Sequence, residues 1–171
     1  MSAMFPNDQT MCMVMTDTQW NKSKTWNRDH TGWITKLTGG VFSWVSHQQK
    51  NITYFSTEAE YVTANDCARQ AVWIRNIFGE MGYNIKPFPI CVDNQGAIFM
   101  ASNPVTEHCN KHVDICHKVI NEFLRDKKIE LFYIEGSENS ADMFTKSLGH
   151  ILFTKFRSQL GLIFYDTPQA A

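Results

Sequence analysis

The sequence predicts an α/β domain, a mixed sheet with helices packed on its faces, and three observations carry that reading. The chain opens with three stretches of β-type patterning, switches near residue 57 to an apolar repeat of 3.6, and then alternates short apolar runs with helical segments. Its 171 residues suit one compact domain.

Met11 to Asp17 is a continuous apolar run closed by a carboxylate, the pattern of a central strand buried on both faces. Thr18 to His30 is polar and reads as a loop. Thr31 to Leu37 and Val41 to Phe55 are rich in β-branched and aromatic residues and flank Thr38-Gly39-Gly40, a hairpin signal, so three antiparallel strands open the fold. From Thr57, the residues Ala64, Cys67, Ala71, Ile74 and Phe78 form one helical stripe, which Gly79 and Gly82 end. Pro89 to Asp93 is a short strand running through Asn94-Gln95-Gly96 into a helix that ends near Ala101. Lys111 to Lys127 reads as a helix and Ile129 to Ile134 as a strand. Two short helices follow, near Ser140 to Leu148 and Leu152 to Leu160. The expected organisation is an N-terminal extension at 1–10, a domain at 11–162 and a loose tail at 163–171.

Composition narrows the class of function. With 43% hydrophobic and 19% charged residues, the chain is neither disordered nor fibrous. No apolar run approaches the roughly 20 residues that span a bilayer. The first ten residues do not read as a secretory signal, and the five cysteines are irregularly spaced, which points to a reducing compartment. Sixteen Lys+Arg against seventeen Asp+Glu give a net charge of −1, so a polyanion would have to be held locally rather than by a general positive field.

Three acids occupy unusual places for surface charges. Asp17 and Asp93 each end an apolar strand, and Glu60, four residues before Ala64, extends the core-facing stripe. Carboxylates turned toward a core need compensating cations or donors, and grouped carboxylates repel one another. Hard divalent cations such as Mg²⁺ take oxygen ligands, and Asp/Glu at strand ends can hold a pair about 3.5 to 4 Å apart for phosphoryl chemistry. Asp142, at the start of a predicted helix, is a fourth candidate. Each also has a purely structural reading. Asp93 would cap the helix after it, Asp142 would favour a helix dipole, and Glu60 would close a capping box with Thr57. Local pattern leaves both readings standing.

Ser56-Thr57-Glu58-Ala59-Glu60-Tyr61-Val62, Val92-Asp93-Asn94-Gln95-Gly96-Ala97-Ile98, Asn103-Pro104, Lys111-His112-Val113-Asp114-Ile115 and Ala141-Asp142-Met143-Phe144-Thr145-Lys146 occur in that order. Together they resemble the ribonuclease H domain of the copia-type LTR-retrotransposon polyprotein, over about Thr16 to Leu162. The resemblance implies a ribonuclease H-like fold, a five-stranded mixed sheet whose first three strands are antiparallel, flanked by helices. It implies catalytic and metal-binding roles for Asp17, Glu60, Asp93 and Asp142, with two Mg²⁺ ions for which Mn²⁺ substitutes. It leaves Glu58 as an outward, solvated neighbour.

The implied activity is hydrolysis of the RNA strand of an RNA–DNA hybrid by a two-metal-ion mechanism, with reverse transcriptase as a partner in cis or in trans. It also implies a cytoplasmic particle or the nucleus as location. Thr57 and Gln95 match positions that read 2′-hydroxyls, Thr57 being equally a plain helix cap, and Lys111 and Lys146 match positions for phosphate contacts.

The chain departs from the family in several places. Asp17-Thr18-Gln19-Trp20 stands where Asp-Ala-Asp-Trp is usual, Cys116-His117-Lys118 where Arg-Tyr-His is frequent, and Thr145-Lys146-Ser147-Leu148 where Thr-Lys-Pro-Leu is usual. The loop Glu135 to Asn139 lacks the histidine of cellular relatives, a role for which His112 is a candidate.

Competing readings are a catalytically inactive binding module for nucleic acid or polymerase, and a DNA-directed, integrase-like member of the same superfamily. A zinc site among His108, Cys109, His112, Cys116 and His117 is disfavoured, because positions 109 and 116 of one helix lie about 10.5 Å apart along its axis. Most of the five tryptophans, Trp20, Trp26, Trp33, Trp44 and Trp73, fit strand or helix packing, so the core rather than base stacking is their expected role.

Overall fold

The computed structural model describes residues 12–19, 28–50, 52–83, 86–103 and 111–162. The proposed extension and tail, together with Trp20 and Trp26, fall outside the described residues.

Five strands form one sheet in the order β3-β2-β1-β4-β5. They are β1 (Cys12–Gln19), β2 (His30–Leu37), β3 (Gly40–Gln48), β4 (Phe88–Val92) and β5 (Ile129–Tyr133). The first three are antiparallel, whereas β1–β4 and β4–β5 are parallel. The hairpin between β2 and β3 turns through Thr38 and Gly39, both at positive φ (49° and 89°), a twist that suits a tight two-residue connection. β3 ends at Gln48 rather than continuing to Phe55. The β-type residues Ile52, Tyr54 and Phe55 are exposed in the loop that follows.

Helix α1 (Ser56–Glu80) buries Ala64, Cys67, Ala71 and Ile74, the predicted stripe, against Val14, Trp33, Ile90, Val92 and Ile129 on one face of the sheet. Helices α2 (Gln95–Ser102) and α3 (Lys111–Arg125) pack on the same cluster through Ala97, Ala101 and Ile120. On the other face Met15, Ile34 and Cys91 meet Ala141 and Leu160. Those last two come from a 3-10 turn at Ser140–Phe144 and from the end of helix α4 (His150–Gln159). The segment expected to be a helix from Ser140 to Leu148 is therefore a tight 3-10 turn. β1 is central, so its alternating side chains serve both clusters: Val14 faces α1 and Met15 faces the 3-10 turn. No helix among the described residues is long and apolar enough to cross a membrane.

Of the tryptophans, Trp33 is buried and donates Nε1–H to Asp66 at 3.0 Å. Trp44 on the edge strand and Trp73 on α1 are 60% and 56% exposed, which corrects the expectation that they fill the core.

Candidate metal centre

The alternation of β1 continues to its end. Asp17 follows the parity of Met15 and faces the 3-10 turn, while Thr18 faces α1 and donates its hydroxyl to the Ala59 carbonyl at 3.3 Å. Thr16 pairs with Val92 in the parallel β1–β4 ladder, so Asp17 and Asp93 come next on neighbouring strands, at the same end of the sheet. Parallel pairing is what brings two carboxylates 76 positions apart in the chain to one edge.

Glu60 arrives from the first turns of α1. Its Oε1 accepts the Thr18 backbone N–H at 3.1 Å, and its Oε2, equally buried, has no hydrogen-bond partner. One oxygen each from Asp17, Glu60 and Asp93 lies within 4.8 Å of the others. Burial, then the charges of Asp93 and Asp17, push the Glu60 carboxyl up to about 9. Burial and Asp17 also raise Asp93, against the opposing pull of Lys146 and a hydrogen bond from Asn139.

The capping readings of Asp93 and Glu60 do not hold. The cap of α2 is Asn94, whose side chain accepts from the Ala97 N–H at 3.1 Å, so Asp93 is free of that task. Helix α1 begins at Ser56, and the carboxylate that reaches back over its start is Glu58, accepting from the Tyr54 N–H at 2.9 Å. Thr57 and Glu60 therefore form no capping box, and Glu58, half-buried, binds the backbone just before the helix.

Asp142 lies on the 3-10 turn, nearly buried, and joins the trio through a cation. The Lys146 ammonium lies 3.1 Å from Asp17 Oδ1 and 3.2 Å from Asp142 Oδ1. The Thr145 hydroxyl donates to the second Asp17 oxygen, Oδ2. Burial and the proximity of Asp17 raise Asp142 to about 6. Burial disfavours the Lys146 charge, but Asp17 and Asp142 outweigh it and hold the ammonium above its ordinary value. Lys146, matched by motif to phosphate contact, is thus turned onto the carboxylates.

Three positioning residues carried no signal in the sequence. Asn139, fully buried, donates Nδ2–H to the Thr16 carbonyl at 2.7 Å and accepts the Ala141 N–H at 3.2 Å, tying the 3-10 turn to β1 beside Asp17. Thr63 takes hydrogen bonds with Thr18 and, at 2.9 Å, with Thr31, locking α1 to the strands under Glu60. Gly32 sits opposite Asp17 in the β1–β2 ladder and leaves room for the 3-10 turn.

The other candidates divide. Thr57 and Gln95 stand at the starts of α1 and α2, half-buried and exposed, and Gly96 brings those starts together. A Cβ on Gly96 would meet Thr57 Cγ2 at 3.1 Å. The side chains of Lys111, His112, Cys116 and His117, and all of His108 and Cys109, lie outside what is described.

The donor set fits a hard divalent cation: carboxylate oxygens only, grouped within one ion's reach, one of them buried without a partner.

No protein-family model matches the sequence. Among curated proteins it is similar to the retrovirus-related Pol polyprotein from transposon TNT 1-94 of Nicotiana tabacum, at 30% identity over 79% of this chain and 10% of the relative. The corresponding polyprotein from transposon RE1 of Arabidopsis thaliana is 29% identical over 85% of this chain and 10% of the relative. The chain thus spans about a tenth of the length of the curated relatives it matches.

Among solved structures, foamy viral protease-reverse transcriptase in complex with RNA/DNA hybrid superposes with a TM-score of 0.60 at 12% identity, over 85% of this chain and 21% of that one. The N-terminal RNase H domain of a Mycobacterium tuberculosis protein gives 0.55 at 10% identity, over 85% and 96%. The chain thus has homologues among retrovirus-related Pol polyproteins, and its fold is that of ribonuclease H, as the motifs implied.

Proposed function

We propose that the chain is a ribonuclease H-type nuclease that hydrolyses the RNA strand of RNA–DNA hybrids within a reverse-transcribing polyprotein. The observation that carries this reading is the convergence of one oxygen each from Asp17, Glu60 and Asp93 within 4.8 Å, where Glu60 also has a buried oxygen without a hydrogen-bond partner. Asp17, Glu60, Asp93 and Asp142 would hold the divalent cations, two Mg²⁺ or Mn²⁺ in their place. When bound, these ions lower the pKa of water and neutralise charge on the phosphodiester.

The chain's own residues fix the geometry for that chemistry. Thr18 N–H orients Glu60, Asn139 locks the 3-10 turn against β1, and Thr145 fixes the Asp17 rotamer. An attacking water would break the P–O3′ bond, leaving a 3′-hydroxyl and a 5′-phosphate. Thr57 and Gln95, at two helix starts, would read 2′-hydroxyls across a minor groove, and Lys111 would contact a phosphate.

A binding module that does not cut is the second reading, favoured by the placement of the Lys146 ammonium between two of the four carboxylates. The test is incubation with an RNA–DNA hybrid at millimolar Mg²⁺ or Mn²⁺. Internal RNA fragments with intact duplex DNA are expected. Hybrid binding without fragments selects the second reading.

A further inference from the structure

Both carboxylate oxygens of Asp17 are engaged: Oδ2 accepts from the Thr145 hydroxyl, and Oδ1 faces the Lys146 ammonium at 3.1 Å. The same ammonium is 3.2 Å from Asp142 Oδ1. A backbone hydrogen bond from Lys146 N–H to the Asp142 carbonyl, at 3.0 Å, folds the chain so that the side chain turns back over the site. A cation approaching Asp17 and Asp142 therefore meets a positive charge already in place.

That charge is exchangeable by construction. The Lys146 side chain is 37% exposed, whereas that of Asp17 is 1% exposed, so the lysine has a route to solvent that the carboxylate lacks. Its ammonium is a compact point charge on a flexible stem, without the fixed planar fork by which an arginine would clamp a carboxylate.

We propose that Lys146 is the resident counter-cation of this centre, held by Asp17 and Asp142 in the metal-free protein and displaced by the divalent ion when that ion binds. The inference rests on the metal-binding reading above and deepens it, because it makes metal affinity a competition between the ion and the protein's own ammonium. In the metal-free state Lys146 offsets the repulsion between Asp17 and Asp142. In the loaded state it is released to the rim of the site, where a lysine can meet a phosphate.

The test is titration of Mn²⁺ into the metal-free chain by calorimetry, with Lys146→Met, Lys146→Arg and Asp17→Asn alongside the parent. Lys146→Met is expected to bind Mn²⁺ about tenfold more tightly, the scale of one opposing charge at a partly buried carboxylate. It should also melt lower than the parent without metal and gain more from added metal. Lys146→Arg should bind no more tightly than the parent, and Asp17→Asn should lose binding. Nitrogen-detected NMR of the parent follows the Lys146 ammonium directly and needs no variant. Its signal should shift as Mg²⁺ is added, and this readout decides the matter if Lys146→Met fails to fold.

Equal or weaker Mn²⁺ binding by a folded Lys146→Met, or a Lys146 signal indifferent to Mg²⁺ under saturating conditions, overturns the competition while leaving the metal site intact. Absence of Mn²⁺ binding by both parent and Lys146→Met overturns the metal reading and this inference with it.

Discussion

A Cβ placed on Gly32 would stand 2.5 Å from Thr145 Cγ2, so the strand residue opposite Asp17 is also the seat of the turn that carries Asp142 and Lys146. The next nearest atoms would be Phe144 Cβ at 3.1 Å and the Ala141 carbonyl at 3.3 Å, leaving no side to which a methyl can move. Gly32→Ala is expected to push the turn off the sheet and to destabilise the fold by about 1–3 kcal/mol, as overpacking does. Chemical denaturation checks the stability and metal titration checks the site. Unchanged values in both would show that the turn yields freely.

Asn139 acts on the same turn from within. Removing its amide in Asn139→Ala strands the buried Thr16 carbonyl and the Ala141 N–H, at a cost of about 1–3 kcal/mol for each group left without a partner. Metal affinity should fall as well, since Asp142 loses its tether to β1. A variant that melts lower yet binds metal like the parent would confine Asn139 to a stabilising role.

Glu60 sets a pH dependence whose sign is fixed by the direction of its shift. Its folded value, about 9, lies above the ordinary 4.5. The fold therefore keeps this group's full contribution below about pH 4.5 and loses it as pH rises toward 9. Asp142, raised to about 6, acts in the same sense over a lower window. Glu60→Gln removes the charge and keeps the shape, so without metal it should be more stable than the parent at pH 8, by about 1–3 kcal/mol. The gap should close toward pH 5. Urea melts at the two pH values measure it, and a gap independent of pH would refute the assignment.

Asp93→Asn preserves volume and removes one carboxylate from the trio. Cleavage of hybrid RNA should fall on the order of 10³-fold, the scale on which removing one preorganised electrostatic group acts, with the fold retained. Gel analysis of RNA fragments beside a circular-dichroism melt separates the two. Residual cleavage within a few-fold of the parent would exclude Asp93 from the centre.

The strand ends were legible because an acid after a run of apolar residues is a local anomaly, as at Asp17 and Asp93. Glu60 was legible from the α1 stripe, although Thr57-x-x-Glu60 also mimicked a capping box, which a helix start at Ser56 does not allow. Sequence pattern overruns the end of β3 because Ile52, Tyr54 and Phe55 have strand propensity, yet they follow the point where Gln49 N–H turns to the Asp29 carbonyl at 2.7 Å. The exposure of Trp44 is hidden from the sequence because an edge strand can leave one face uncovered, a fact of the assembled sheet rather than of the residue. Asn139 and Gly32 were not legible at all, and the motif that holds Thr145 gave no sign of its bond to Asp17. Asn139 and Thr145 meet partners 123 and 128 positions away, and Gly32 matters only for the space it leaves.

Those long separations order events during synthesis. When the fifth strand emerges at Ile129–Tyr133, every pairing of the sheet is available, yet Asn139, Thr145 and Lys146 have still to emerge. A nascent polypeptide can thus acquire its scaffold before Asp17 has either of its side-chain partners, and the acidic centre matures only as the ribosome delivers the segment beyond residue 138.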